Sequence, residues 1–248
     1  MKKIYILWLR QIKKYLRSKS RIVGSLGQPL LFLIALGYGL NSVFQQAGQG
    51  SYLNFLSPGI IAMSIIFTSI FSGMEVIWDR QFGFLKETLA APISRFNIMI
   101  GRTLGGATVA TMQGIIVMFI SLLFGFRPVS WINMIPAIGI MFIIALLFTS
   151  LGTMIASLLE DMQGFHLIMN FLVMPIFFFS GAIFPLQGLP KVLVIIVRIN
   201  PLSYGIDALR ILLINVGHYG LGIDTIVLLS VTLIFLWLGS HFFKKIQI

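Results

Sequence analysis

Cysteine is absent from these 248 residues, which excludes disulfides, thiolate metal sites and cysteine nucleophiles. Histidine is nearly absent. His166, His218 and His241 are too scattered in sequence to build a histidine-based metal centre. Charge is scarce as well: Asp, Glu, Lys and Arg make up 10% of the chain, against about 25% in a soluble domain. An ordinary globular protein is excluded. A membrane-embedded enzyme needs clustered carboxylates, histidines or a metal near one interface. The seven acidic residues supply one adjacent pair, Glu160-Asp161, at a tight turn where a helix-terminal role fits better. No Gly-x4-Gly-Lys-Ser/Thr phosphate loop occurs, so the chain does not bind ATP in the usual way.

What is present is apolar. Hydrophobic residues make 58% of the chain, and the mean hydropathy is +0.98. Six runs are each long enough for a bilayer core that needs about 20 residues: Ile22–Leu40, Leu56–Trp78, Ile98–Phe124, Asn133–Leu159, Phe165–Phe184 and Gly222–Phe243. The fold class expected is all-α integral membrane with six transmembrane helices. The net charge of +11 is distributed as a topology signal and not as a nucleic-acid footprint. Eight of the 18 Lys and Arg precede residue 22. With Arg80, Lys86, Arg95, Arg102, Lys244 and Lys245, fourteen fall on one side. Arg127, Lys191, Arg198 and Arg210 fall on the other, so both termini are expected in the cytoplasm.

The N-terminal stretch 3–19 reads as an amphipathic interfacial helix. Its apolar piece Ile4–Leu9 is too short for a signal-peptide core. Arg10, Lys13, Lys14 and Arg17 recur at helical spacing, opposite Leu7, Trp8, Ile12, Tyr15 and Leu16. It serves either as a topology anchor alone or also as a brace for a cytoplasmic partner. Within the spans, charge is confined to the ends: Glu75 and Asp79 on the second, Arg102 on the third. That weakens an ion-coupled carrier, which buries ionisable groups where it handles the ion. Small residues (Gly101, Gly105, Gly106, Gly152, Ala156) with Thr108, Thr111, Gln113, Thr149, Ser150, Thr153 and Asn170 fit close helix packing. A substrate path lined by these groups is the other reading.

Two extra-membrane regions carry pattern. In the loop 79–97, a short helix over Phe84–Ala91 follows Gly83 and stops at Pro92. Phe84, Leu85, Thr88 and Leu89 form its apolar side, and Lys86 and Glu87 its polar side. Such a helix either rests on lipid or docks on a partner. In the outer region 185–218, Pro185 and Pro190 precede an apolar piece, Lys191–Arg198, that is too short to cross. Asn200-Pro201 breaks it, and a second short helix is expected over Tyr204–Val216. Asp207 and Arg210 stand on one face of that helix, as a local pair or as part of an outer lid.

These residues resemble the type-2 ABC transporter permeases over nearly the whole chain. The resemblance rests on Pro201, Leu202, Tyr204 and Arg210, on Ser180-Gly181-Ala182-Ile183-Phe184-Pro185 followed by Leu189-Pro190, and on Pro92-Ile93-Ser94-Arg95 after a short acidic-containing helix. It implies a single permease domain over 1–248 whose segment Phe84–Leu89, with Glu87, Pro92 and Arg95, docks into a separate P-loop ATPase. It implies two such ATPase subunits, a second copy of this chain or a related permease, and surrounding lipid, with no nucleic acid. The chain itself is then not an enzyme and binds no cofactor or metal, since ATP and Mg belong to the partner. The family exports drugs and antibiotics, lipids or lipid-linked glycans across the plasma (inner) membrane of prokaryotes. An ion-coupled secondary carrier and a membrane-embedded lipid-modifying enzyme stay as the alternatives.

Overall fold

The computed structural model describes residues 2–47, 50–84, 93–186 and 190–243. Every regular element among them is a helix: α1 (Lys2–Arg17), α2 (Lys19–Gly39), α3 (Asn41–Gln46), α4 (Tyr52–Gln81), α5 (Arg95–Leu123), α6 (Met134–Leu158), α7 (Met162–Phe178), α8 (Lys191–Ile199), α9 (Pro201–Ile214) and α10 (Leu221–Phe243). Five of these, α2, α4, α5, α6 and α10, are long and apolar enough to cross a membrane. They match five of the six expected spans. The expected fifth span is shorter than its apolar run. Helix α7 has 17 residues and stops at Phe178, about 26 Å of helix at 1.5 Å per residue. Past it the chain turns at Gly181, whose φ of +75° is left-handed and disfavoured for residues with a Cβ.

Helix α4 is the centre of the bundle. In its most apolar window 78% of residues are buried, against 17% for α2 and for α10. It packs on α2, α5 and α6, while α6 also meets α10, and α9 wedges among α4, α6 and α10. Glycines set how closely these helices approach. A Cβ on Gly73 of α4 would fall onto the Gly152 carbonyl of α6, and one on Gly152 would sit 2.7 Å from the Ile70 oxygen. Gly106 of α5 meets Ser72 and Thr149 in the same way. The hydroxyls of Thr111, Ser150 and Thr153 bond back to carbonyls four residues earlier. These glycines admit close helix packing, and these hydroxyls are satisfied within their own helices.

Helices α8 and α9 meet at 85°, so together they make no straight crossing. The second of them starts at Pro201, three residues earlier than Tyr204. A proline is harmless at the first helical position, where its missing N–H has no intrahelical partner anyway. Asn200 caps the start, its side chain accepting from Leu202 N at 3.0 Å. The helix ends at Asn215, in the left-handed conformation.

Candidate functional site at the two ends of the bundle

At one end the basic residues gather. Helix α1 lies along α5, its Leu7 and Tyr15 buried. Gly101 and Gly105 make the groove it occupies: added Cβ atoms would come within 2.9 Å of Leu7 and 2.7 Å of Gln11. Trp8 Nε1 donates to Thr108 Oγ1 at 3.0 Å, and Tyr15 OH donates to Gln113 Oε1 at 2.5 Å. Burial pushes the Tyr15 phenol above its ordinary pKa, opposed by the positive charge of Arg21.

The polar face of α1 turns partly inward. Lys14 and Arg21 both reach Glu75 of α4, at 3.5 and 2.7 Å. Arg10 reaches Asp79 at 3.6 Å, and Arg102 of α5 donates to the same carboxylate. Glu75 and Asp79 are one turn apart and buried, so each carboxylate joins two helices to the C-terminal end of α4. Lys13 and Arg17 stay exposed. The amphipathic pattern was legible in sequence. These pairings were not, because Glu75 and Asp79 lie more than fifty residues from α1.

From this clamp α4 runs on to Gln81, and Gly83 follows with φ of +79°. Arg80 Nη2 reaches Glu160 Oε1 at 2.8 Å, tying α4 to the α6–α7 turn. There Asp161 caps α7 by accepting from Gly164 N at 2.5 Å. Of the expected docking residues, Phe84 and Arg95 are described. Phe84 is exposed, and Arg95 opens α5 behind the Ser94 cap. Leu85, Lys86, Glu87, Thr88, Leu89 and Pro92 lie outside the described residues.

At the other end stands the patterned stretch beginning at Asn200. Besides capping α9, Asn200 donates through Nδ2 to the Ile176 carbonyl at 2.6 Å. That carbonyl is in the last turn of α7, where no intrahelical donor follows. Tyr204 OH donates to the Arg198 carbonyl at 2.8 Å, and its ring stacks on Tyr219. Leu202 is fully buried. Pro185 borders a cavity of about 450 Å³ that also touches Asn54, Phe55, Arg127 and Val216. Pro190 precedes α8 as its cap.

Asp207 and Arg210 form no direct ion pair, and each is hydrogen-bonded to other groups. Asp207 accepts from the backbone N–H groups of His218 at 2.9 Å and Tyr219 at 2.8 Å, folding the chain after α9 back onto the helix. Arg210 is 6% exposed. Its guanidinium lies 3.8 Å from the centre of the Phe55 ring and donates to the Ala182 carbonyl at 3.0 Å. The Ala182 backbone in turn rests against Gly59 of α4. Arg210 therefore pins α9 to the start of α4 and to the turn after α7. No three His, Asp or Glu side chains gather as metal ligands would among the described residues.

Residues 2–214, from α1 through the end of α9, match the family described as ABC-2 type transporter. The chain belongs to that family. Individual ABC-2 relatives agree. A nodulation protein J of Rhizobium leguminosarum bv. trifolii is 28% identical over 216 residues, covering 86% of this chain and 79% of its own length. A putative transport permease ycf38 of Cyanophora paradoxa is 28% identical over 219 residues, covering 86% and 74%. The ycf38 of Porphyra purpurea is 31% identical over 210 residues, covering 80% and 69%. This ABC-2 chain is accordingly a transport permease and a multi-pass membrane protein.

Proposed function

We propose that this chain is the membrane half of an ATP-driven exporter. It forms the path for a hydrophobic or amphiphilic cargo, whether a drug or antibiotic, a lipid or a lipid-linked glycan. Membership of the ABC-2 family across residues 2–214 carries the reading. The physical support is that the middles of the apolar helices hold no charged side chain on which an ion gradient could act. Energy then comes from a partner, and in this family that partner is an ATPase. On this reading α7 crosses as the fifth span, α8 and α9 form the outer re-entrant element, and both termini are cytoplasmic in a prokaryotic plasma membrane. Two ATPases, with ATP and Mg on them, sit under two permease copies, identical or related. The exposed apolar faces of α2 and α10 are available to lipid and to the second copy.

Segment 79–97 is the natural transmission element. Its first residues continue α4 beyond the ionic clamp, so a push on the segment would move α1, α2 and α5 along with α4. The test is Leu85→Asp, which places a charge on the apolar side of the segment. Membrane insertion should be retained while the ATP turnover of the reconstituted complex no longer responds to the permease. Normal coupled turnover in a well-folded variant would remove the segment from the mechanism.

A further inference from the structure

Two cavities adjoin between α2 and α4 at the basic end, sharing Arg21 and Phe71. The outer one holds about 510 Å³, within the range of small-molecule sites. Lys14, Ser18, Ser20 and Arg21 bring polar donors to it, and Trp78 walls it. The inner one, about 220 Å³, runs past Gly24 and Pro29 against Phe67. The first joins Lys14 and Arg21 to Glu75 beside Phe71, Met74 and Trp78, and the second sets Gly24, Pro29, Phe67 and Phe71 among the polar Tyr15, Ser25, Gln28 and Thr68.

The charge at the mouth is unbalanced. Lys14 and Arg21 share the single carboxylate of Glu75, which leaves one positive charge over. Asp79, the next acid, already faces Arg10 and Arg102. Arg21 gives one N–H to Glu75, and a guanidinium carries five. Glu75 would repel an anion placed beside it, but it is buried while Lys14 and Arg21 are each more than a third exposed. An incoming anion therefore meets the cations first.

We infer that this groove binds an anionic amphiphile. A phosphate head sits against Lys14, Arg21 and the Ser18 and Ser20 hydroxyls, and the hydrocarbon tail runs between α2 and α4 past Gly24 and Phe67. As a cargo entry site this rests on the exporter reading, but the binding itself requires no ATPase. A tail in this position has one leg in the bilayer and one in the bundle, because Val23 and Gly24 of α2 are exposed.

The test uses the purified full chain in phosphatidylcholine nanodiscs, titrated with brominated phosphatidic acid, whose bromines quench tryptophan on contact. The quench due to Trp78 is taken as the difference between the native chain and Trp78→Phe, because Trp8, Trp131 and Trp237 also meet lipid. It should saturate with phosphatidic acid brominated close to its head and be absent with phosphatidylcholine brominated at the same position. Lys14→Gln/Arg21→Gln should weaken the binding about tenfold or more, the factor carried by roughly one charge-assisted contact. Gly24→Leu should do the same by filling the tail limb. Its Cβ meets nothing within 4 Å, so this variant decides the matter even if the charge variant misfolds. Equal affinity in Gly24→Leu, or equal quenching by the choline lipid, overturns the inference. Competition by inorganic phosphate as strong as by phosphatidic acid would mark a free-anion site and overturn it too. Lipid binding by a chain that carries no ATPase when purified from its own membrane would instead count against the exporter reading alone.

Discussion

Arg210 offers the sharpest link between a sequence signature and a measurable energy. Replacing it with Met keeps most of the side-chain length and removes the cation and its donors. The contact with the Phe55 ring at 3.8 Å is a desolvated cation–π pair, worth about 2 kcal/mol. The bond to the Ala182 carbonyl at 3.0 Å adds about 1.5–3 kcal/mol for a charged donor. The two contacts with the Phe55 carbonyl at 3.4 Å lie outside the usual hydrogen-bond distances and add little. Against these stands the desolvation of a buried charge, which the substitution relieves. The net expectation is a loss of about 1–3 kcal/mol, read as a lowered apparent thermal midpoint in detergent by fluorescence-detected size exclusion. Arg210→Lys should fall between native and Met, because lysine keeps the charge but cannot stack as a plane. Combining Arg210→Met with Asp207→Asn should give somewhat less than additive losses, since the two side chains bond different partners but the Asp207 charge favours the Arg210 cation one turn away. A native midpoint for Arg210→Met would refute the tether.

Asp224→Asn should be neutral or stabilising: both carboxylate oxygens are buried without a donor, with Asp207 near enough to repel the charge. A midpoint lowered by more than about 1 kcal/mol would show that the carboxylate has a favourable partner. Gly73→Leu should prevent the α4–α6 contact and abolish a monodisperse fold, whereas Gly27→Leu should be tolerated, because nothing lies within 4 Å of a Cβ there. Equal elution profiles for the two would contradict the packing. In this cysteine-free chain, Ser51→Cys and Ser130→Cys should label from outside and Ser94→Cys only after permeabilisation. The opposite pattern would invert the topology.

The spans were legible because apolar length is a strong signal, and five of the six lie where their runs predict. The end of α7 was not legible. Residues 179–184 are as apolar as a span, and the turn depends on Gly181 and on a side chain from Asn200, distant in sequence. The amphipathic pattern of α1 showed which face is polar but not what it meets. Glu75 and Asp79 read as charges at the end of a span, and only packing reveals that each is held by two bases. At the other end, spacing along one helix put Asp207 and Arg210 within reach of each other. Spacing carries no information about the carbonyl of Ala182 or the ring of Phe55, which compete for the same guanidinium and win it. The glycines Gly101, Gly105, Gly106 and Gly152 were readable as packing residues by type, and the structure names the helix each one admits.

The most direct test of the proposed ATP-driven export is gentle purification of the tagged chain from its own membrane, with mass identification and stoichiometry of what accompanies it. A P-loop ATPase at one copy per permease is expected. A stable oligomer that carries no ATPase, even with an ATP analogue present, would contradict it.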